Sequence, residues 1–186
     1  DMQELKKIVR NEALAKRRVL TADKRHTNSV AIVTLLANSD LFLTASTIAT
    51  YIPLASEVDV SILQLRHKHS KAFAAPRTQS NFEMRYHQLN DTTRLEVGAG
   101  QVQQPTEAAP EIALKNIDLF LVPLAACDMR GNRLGFGRGY YDRVLANSKG
   151  FKLGVGFRCQ LLEDVPFESH DIPLDGFISE EGLIRF

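Results

Sequence analysis

Residues 133–143 read RLGFGRGYYDR and combine side chains that suit the binding of phosphate. Three alternating glycines let successive backbone N–H groups approach an anion closely. Arg133 and Arg138 add planar guanidinium donors that match phosphate oxygens, and Tyr140 and Tyr141 offer rings on which a flat heterocycle can stack. Asp142 is of the residue type that holds magnesium beside bound phosphates. The segment therefore predicts a site for a phosphate-bearing ligand with a flat ring.

The glycine spacing excludes two familiar phosphate-binding motifs. No Gly-Lys-Ser or Gly-Lys-Thr follows, as it would in a Walker loop, and the spacing differs from that of the dinucleotide fingerprint. A glycine cluster after a strand often forms only a tight turn. Tyrosines at the start of a helix are often core residues, and an aspartate in the first turn often serves only the helix dipole. The functional interpretation depends on finding all these residue types together.

A strand pattern and a helix pattern flank this segment. Residues 117–123, IDLFLVP, are typical of a strand covered on both faces by helices. Residues 140–148, YYDRVLANS, follow as a predicted helix. The glycines therefore lie at the carboxyl end of a strand and near a helix N-terminus, where open α/β sheets bind ligands and where anions are favoured.

The rest of the chain alternates helix and strand patterns. Helices are predicted over residues 3–19, from a cap at Thr21 or Asp23 to about residue 37, and over residues 58–69. Further strands are predicted in STIATYIP, KAFAAP, FEMRYH, KLGVGF, GFIS and LIRF. Residues 90–110 lose this periodicity and read as a long, functional loop. We predict one domain over residues 1–186 with an α/β fold, a three-layer α/β/α sandwich around a mostly parallel sheet.

Composition and charge narrow the class of protein. The 186 residues are 44% hydrophobic and 24% charged, as in a soluble globular protein, and no apolar run is long enough to span a bilayer. The charged N-terminus lacks the pattern of a secretory signal, so we expect a cytoplasmic protein without a membrane partner. The net charge of +1 argues against a nucleic-acid partner. The basic residues between 6 and 25 are predicted to form the solvated face of a helix.

The cysteines and most histidines are predicted to have no chemical role. Cys127 and Cys159 are in no metal-binding or redox spacing and are expected in the core rather than in a disulfide. Four histidines form no metal-ligand spacing and are expected at the surface: His26, His67, His69 and His87. His170 is a possible proton shuttle, although a lone histidine is more often structural.

The segment VPLAACDMRGNRLGFGRGYYDR closely resembles the signature of 5-formyltetrahydrofolate cyclo-ligases, also called 5,10-methenyltetrahydrofolate synthetases. Further blocks occur in the order of that family along nearly the whole chain. They are Lys6, Lys7 and Arg10; Tyr-Ile-Pro followed by residues 57–59; Gln104 with Pro105; and His170 with Asp171. Any one block is weak evidence, whereas their agreement in order and spacing is specific.

The resemblance implies a reaction and its participants. In the family, 5-formyltetrahydrofolate and ATP react with the help of Mg²⁺ to give 5,10-methenyltetrahydrofolate, ADP and phosphate. The formyl oxygen is a poor leaving group, so ring closure by N10 requires its phosphorylation. Phosphoryl transfer needs positioning and charge neutralisation more than covalent chemistry by the protein. We expect a monomeric, cytoplasmic enzyme of one-carbon metabolism whose partner is the small-molecule folate.

The resemblance also assigns site residues. The implied ATP contacts are Lys6, Arg10, Arg133, Gly135, Phe136, Gly137, Arg138, Gly139, Tyr140, Tyr141 and Asp142. The implied folate contacts are Ile52, Glu57, Phe136, Gly137, Arg138, Gly139 and Tyr140, with Glu57 accepting hydrogen bonds from the pterin. Asp142 and Asp171 are the implied magnesium ligands, and Arg138 and Tyr140 are the expected catalytic residues.

Two other functions remain open at this stage. The first is a folate- or nucleotide-binding protein that keeps the fold without turnover. The second is an RNA-binding module, suggested by the basic N-terminal segment but opposed by the low net charge and by the lack of a basic sheet motif interleaved with aromatic residues.

Overall fold

The computed structural model describes all residues, 1–186. It contains five α-helices and twelve strands, joined by turns and short 3-10 helices. The helices are α1 (Met2–Arg18), α2 (Ala22–Ala37), α3 (Asp40–Thr44), α4 (Ser61–His67) and α5 (Tyr140–Leu145). The strands are β1 (Thr47–Ala49), β2 (Ala72–Thr78), β3 (Met84–Gln88), β4 (Leu95–Val97), β5 (Gln103–Pro105), β6 (Glu111–Ile112), β7 (Leu119–Pro123), β8 (Ala126–Cys127), β9 (Arg133–Leu134), β10 (Phe151–Val155), β11 (Gly176–Ser179) and β12 (Gly182–Arg185).

Eight strands form one sheet in the order β12-β11-β10-β7-β1-β2-β3-β6. Its five central strands, from β11 to β2, run parallel, and the strands at both edges are antiparallel. The longest parallel register pairs Phe151 with Leu119 through to Val155 with Pro123. The predicted mostly parallel sheet is confirmed.

Strand β7 shows why helices cover both faces of the sheet. All five of its residues are buried, and they alternate between two apolar cores. Leu119 and Leu121 pack against α2, α3 and the segment around α4. Phe120 and Val122 pack with Val144 and Leu145 of α5 on the other face. This arrangement is the predicted three-layer sandwich.

Side-chain caps begin the two long helices, although the sequence analysis predicted a cap only for the second. Asp1 accepts from the backbone N–H of Glu4 at 2.8 Å, and Thr21 accepts from that of Lys24 at 3.1 Å. Thr21, not Asp23, is therefore the cap of α2. No helix of the protein combines the length and the apolar character that crossing a membrane would require.

Several elements differ from the sequence predictions; β1, for example, is only Thr47–Ala49, whereas a strand was predicted in STIATYIP. Residues 90–110 form more than a loop, because β4 and β5 pair as a hairpin that Arg77 ties to β2 through the carbonyl of Pro105. Helix α4 begins at Ser61 rather than at residue 58, after a turn in which the Val60 N–H bonds to the carbonyl of Val58. Helix α5 ends at Leu145, which makes it only six residues long.

Three side chains are buried against expectation. Lys6 and Arg17 belong to the basic run predicted to be solvated, yet they are 7% and 5% exposed because they lie on the inward face of α1. His87 on β3 is 6% exposed, and its Nδ1 lies 2.7 Å from the carbonyl oxygen of Ala109. Cys127 is buried and Cys159 half-buried, and both are free thiols.

Candidate active site

A cavity of about 510 Å³ opens at the carboxyl ends of β1 and β7. From β1 the chain crosses through α4 to β2 on one side, whereas β7 leads through α5 to β10 on the other. The crevice between these strands is the topological switch point, where open α/β sheets bind ligands. Every residue assigned by resemblance lines this cavity: Lys6, Arg10, Ile52, Glu57, Arg133, Gly135, Phe136, Gly137, Arg138, Gly139, Tyr140, Tyr141, Asp142 and Asp171.

The glycine-rich loop requires glycine for two different reasons. Gly137 and Gly139 have φ angles of 93° and 75°, in the left-handed region that favours glycine, and Gly139 caps α5. Gly135 instead lies directly over an arginine, because a Cβ there would meet the guanidinium of Arg133 at 2.9 Å. The loop backbone is thus bare where it faces the cavity. Since α5 has only six residues, nearby cations rather than a helix dipole supply most of the positive charge.

Arg133 links the glycine-rich loop to the end of β7. Its Nε and Nη2 donate to the carbonyl oxygen of Pro123 at 3.0 and 2.9 Å, and the guanidinium lies 5.0 Å from the ring centre of Tyr141. Burial lowers the pKa of Arg133, while the charges of Asp142 and its neighbours oppose that shift. Arg133 forms no ion pair within the protein, so it leaves positive charge beneath the loop.

Arg10 approaches the same loop from α1. Its Nε donates to the carbonyl oxygen of Gly135 at 2.7 Å, and its guanidinium would lie 3.6 Å from a Cβ at Gly137. Burial lowers the pKa of Arg10, and this arginine too has no carboxylate partner. Two guanidinium groups without carboxylate partners therefore flank Gly135.

Lys6, one helical turn before Arg10, is engaged differently. Its Nζ lies 2.7 Å from Asp171 Oδ2 and 2.9 Å from Glu168 Oε1. Burial lowers the pKa of Lys6, but the hydrogen bonds and charges of Asp171 and Glu168 outweigh it and raise the pKa above its usual value. The ammonium group is therefore charged and joins α1 to the segment before β11.

The two aspartates predicted to hold magnesium are neighbours in space. Asp142 Oδ1 accepts from the backbone N–H of Ile172 at 3.1 Å, next to Asp171. Asp142 Oδ2 accepts no hydrogen bond within the protein, whereas Asp171 Oδ2 bonds both Lys6 and the N–H of Glu168. No group of three side chains suited to a metal occurs. Two carboxylates fit Mg²⁺ that takes its other ligands from phosphates and water.

Glu57 lies in the turn that follows β1. It is 8% exposed, and its Oε1 accepts from the backbone N–H of Leu54 at 2.8 Å. Burial raises the pKa of Glu57, and the Leu54 hydrogen bond and the charge of Arg17 act against that rise. Tyr51 is buried beside it and donates to the carbonyl oxygen of Val58 at 3.2 Å. The result is a recessed acceptor for N–H donors.

Exposed groups complete the cavity on its solvent side. Phe136 is 43% exposed, and Arg138 is exposed and makes no hydrogen bond within the protein. The ring of Tyr140 packs 5.9 Å from that of Phe82, whose segment the sequence analysis assigned to a strand.

Sequence reasoning missed several lining residues that come from β2, β3 and the hairpin β4–β5. Among them, Gln104 Oε1 accepts from the N–H and the hydroxyl of Thr78 at 3.1 and 3.0 Å, which holds the hairpin against β2. The Gln-Pro block was the signal for Gln104. No sequence signal indicated Met84, Thr78 or Val102, which line the cavity only because the sheet brings them there.

Comparisons with known proteins show the family of the chain. The profile of the 5-formyltetrahydrofolate cyclo-ligase family matches residues 2–180. The 5-formyltetrahydrofolate cyclo-ligase of Escherichia coli K12 is 28% identical over 174 residues, which cover 88% of this chain and 94% of that protein. The cyclo-ligase of Mus musculus is 26% identical over 191 residues, which cover 95% of this chain and 94% of that protein.

Solved structures show the same relationship in three dimensions. The 5,10-methenyltetrahydrofolate synthetase of Aquifex aeolicus superimposes with a TM-score of 0.87 at 32% identity and covers 97% of this chain, with 92% of its own chain matched. The synthetase of Mycoplasma pneumoniae gives a TM-score of 0.76 at 25% identity, covering 94% of this chain and 98% of its own. Because profile, sequences and folds all match over nearly the full length, the chain belongs to the 5-formyltetrahydrofolate cyclo-ligase family.

Proposed function

We propose that this protein uses ATP and Mg²⁺ to close 5-formyltetrahydrofolate into 5,10-methenyltetrahydrofolate, with release of ADP and phosphate. The observation that carries the proposal is the pair of guanidinium groups, Arg10 and Arg133, that flank Gly135 without carboxylate partners. Partly buried cations without a protein anion favour an anionic ligand. The same cavity contains the buried acceptor Glu57, which suits a ring with several N–H donors.

The end of the cavity formed by the glycine-rich loop is the nucleotide end, where residues of the protein bind phosphate and neutralise its charge. The bare backbone of Gly135, Gly137 and Gly139 allows close approach, and Arg10, Arg133 and Arg138 supply charge. Lys6 directs two of its three N–H donors at Asp171 and Glu168, so it offers a phosphate one donor while its charge is shared with these carboxylates. We propose that Phe136, Tyr140 and Tyr141 enclose the reacting groups from the loop side.

At the folate end, Glu57 accepts hydrogen bonds from the pterin, and Ile52 packs against its ring. ATP supplies a phosphoryl group that turns the formyl oxygen into a leaving group. Asp142 and Asp171 would hold Mg²⁺ beside the phosphates, where the metal neutralises charge. Arg138 and Tyr140 are proposed as the catalytic residues. Arg138 lies on the loop and has no hydrogen-bond partner in the protein, and Tyr140 follows the loop as the first residue of α5.

The proposal also covers the setting of the enzyme. We propose that the enzyme is a monomer. We further propose that it acts in the cytoplasm on a free small molecule, without nucleic acid or membrane. Size-exclusion chromatography with light scattering tests the monomer directly, and a stable dimer would contradict it.

One assay tests the reaction. The protein is mixed with 5-formyltetrahydrofolate and MgATP, and the absorbance of the methenyl product is followed, with reactions lacking ATP or magnesium as controls. We expect product only in the complete mixture. Calorimetric binding of 5-formyltetrahydrofolate without any turnover would instead support a non-catalytic folate-binding protein on the same fold.

A further inference from the structure

The inward face of α1 contains an arginine that the proposed chemistry leaves without a role. Lys6, Arg10, Ala13 and Arg17 follow at spacings of four, three and four residues, so they lie on one side of the helix. Ala13 packs against Ala126, Leu134 and Val165, which fixes this side toward the cavity. Arg17 is 5% exposed, although Lys16 and Arg18 beside it are exposed.

The contacts of Arg17 lead to the turn that bears Glu57. Its Nη2 donates to the hydroxyl of Ser56 at 2.9 Å, and its Nε is buried without a hydrogen-bond partner. The turn is closed twice, since the Glu57 N–H donates to the Leu54 carbonyl at 3.0 Å and the Leu54 N–H donates to Glu57 Oε1 at 2.8 Å. Arg17 therefore holds Ser56, the residue directly before Glu57, in place.

Arg17 and Glu57 also interact through their opposite charges. A buried guanidinium with one neutral hydrogen-bond partner is unfavourable unless an anion lies nearby, and the same holds for a buried carboxylate without a cation. Arg17 and Glu57 are too far apart for a direct ion pair, but each is the main opposite charge that acts on the other. Each charge therefore offsets part of the unfavourable burial of the other.

We propose that Arg17 is a positioning residue for substrate binding, which fixes the Leu54–Glu57 turn through Ser56 and provides the positive charge behind Glu57. The inference rests on the proposed function, because it assumes that Glu57 receives the pterin. Helix α1 then serves both ends of the cavity, with Lys6 and Arg10 at the nucleotide end and Arg17 about 10 Å beyond Arg10 along the helix, at the folate end.

The ionisation of Glu57 is the property that a purely structural arginine would not change. The groups that act on the Glu57 region are Arg17 of α1, Tyr51 at the end of β1, Tyr141 of α5 and Asp59 in the turn, while Arg18 and Cys159 act on Arg17. Of these only Arg17 lowers the pKa of Glu57 by its charge. Removing that charge raises the pKa, so Glu57 ionises at higher pH.

The test compares Arg17→Met, Arg17→Lys and Ser56→Ala, with Arg18→Met as the exposed neighbour that should behave as the unchanged protein. For Arg17→Met we expect the KM for 5-formyltetrahydrofolate to rise about ten-fold or more, with little change in the KM for ATP. The acid limb of kcat/KM for the folate should move to higher pH. Arg17→Lys should leave the acid limb at the pH found for the unchanged protein. Ser56→Ala should raise the folate KM without shifting the pH of the acid limb. Glu57→Gln, which cannot ionise, should remove the limb.

Several results would overturn the proposal. One is that Arg17→Met lowers only the melting temperature and leaves the folate KM and the acid limb unchanged. Another is that it raises both KM values equally. If Arg17→Met does not fold, a Ser56→Ala variant with an unchanged folate KM is decisive against it. If the unchanged protein makes no product, the proposed function fails, and calorimetric affinity for 5-formyltetrahydrofolate across pH still tests Arg17 with the same variants.

Discussion

At the residue scale, the two arginines beside the glycine loop differ in what they can offer a phosphate. Arg133 uses two of its nitrogens on the Pro123 carbonyl and stacks on Tyr141, so it acts largely as a support that carries charge. Arg10 uses only Nε, on the Gly135 carbonyl. Its terminal nitrogens remain available for a ligand, which makes Arg10 the better residue for testing the phosphate contact.

We expect Arg10→Ala to weaken ATP binding by about ten- to a hundred-fold, because a charge-assisted hydrogen bond contributes roughly 1.5 to 3 kcal/mol. Titration calorimetry measures the affinity. Arg18→Ala is the matched control, since Arg18 is an exposed arginine of the same helix, whereas the buried Arg17 is unsuitable. Equal, small effects at both positions would show that Arg10 does not bind phosphate.

The two aspartates should respond differently to loss of charge. Asp142→Asn is nearly isosteric and keeps an oxygen for the Ile172 N–H, so we expect the fold to persist and the magnesium concentration for half-maximal rate to rise. Asp171→Asn should also raise the magnesium concentration for half-maximal rate. Because this substitution removes the carboxylate that pairs with buried Lys6, the melting temperature of the variant should fall as well. Asp91→Asn at the surface is the control. Wild-type magnesium dependence in both variants would refute the metal assignment.

At the element scale, the hairpin β8–β9 delivers Arg133 and the start of the glycine loop, and one carboxylate shapes its turn. The side chain of Asp128 is fully buried. Its Oδ1 accepts from the N–H groups of Arg130 and Asn132 at 2.9 and 3.1 Å, and its Oδ2 accepts from the Val165 N–H at 3.0 Å and from the Asn132 side chain at 3.1 Å. Burial opposes ionisation, but these bonds outweigh it and lower the pKa of Asp128.

A depressed pKa makes this turn a source of pH-dependent stability. The contribution is complete above the unfolded pKa of about 3.9 and is lost as the pH falls through the folded pKa. We expect Asp128→Asn to reduce the free energy of unfolding at pH 7 by about 1 to 3 kcal/mol, because buried donors lose their acceptor. In urea titrations the difference from the unchanged protein should shrink below about pH 4. A difference independent of pH would contradict this account.

At the scale of the whole molecule, α1 closes the cavity over the switch point of the sheet. It touches the loop through Arg10, the segment before β11 through Lys6 and the turn after β1 through Arg17. Parts of the chain far apart in sequence thus meet on one helix face. A ligand that bridges these parts should hold the helix against the sheet and stabilise the fold.

Melting temperatures test this closure. With magnesium and a non-hydrolysable ATP analogue at a hundred times its Kd, we expect about 2.7 kcal/mol of stabilisation, or a rise of roughly 5 to 10 °C. At the same concentration, a ten- to hundred-fold weaker affinity leaves Arg10→Ala with about half of the nucleotide shift or less, while the shift caused by 5-formyltetrahydrofolate should persist. An equal nucleotide-induced rise in melting temperature in both proteins would show that Arg10 of α1 does not contact the nucleotide.

Local patterns in the sequence determined the elements and the type of site. The apolar run 117–123 predicted a central strand, and the periodicity of residues 3–37, with a cap for the second helix, predicted two helices. The glycines, cations and Asp142 of the loop predicted phosphate chemistry. These features depend on neighbours within a few residues, and such neighbours determine backbone preference and periodicity. The ordered family blocks then indicated which distant residues belong to the same site.

Only the tertiary structure decided which charged groups are buried and with what partners. Lys6 meets Asp171, 165 positions away, and Arg17 meets Ser56, 39 positions away, so a run that looks solvated contains two buried cations. His87 is buried because β6 and the Ala109 carbonyl cover its strand. Burial depends on which segments pack together, and neither charge nor periodicity within one segment contains that information. The position of Arg17 behind Glu57 could therefore be recognised only once α1 was seen docked on the sheet.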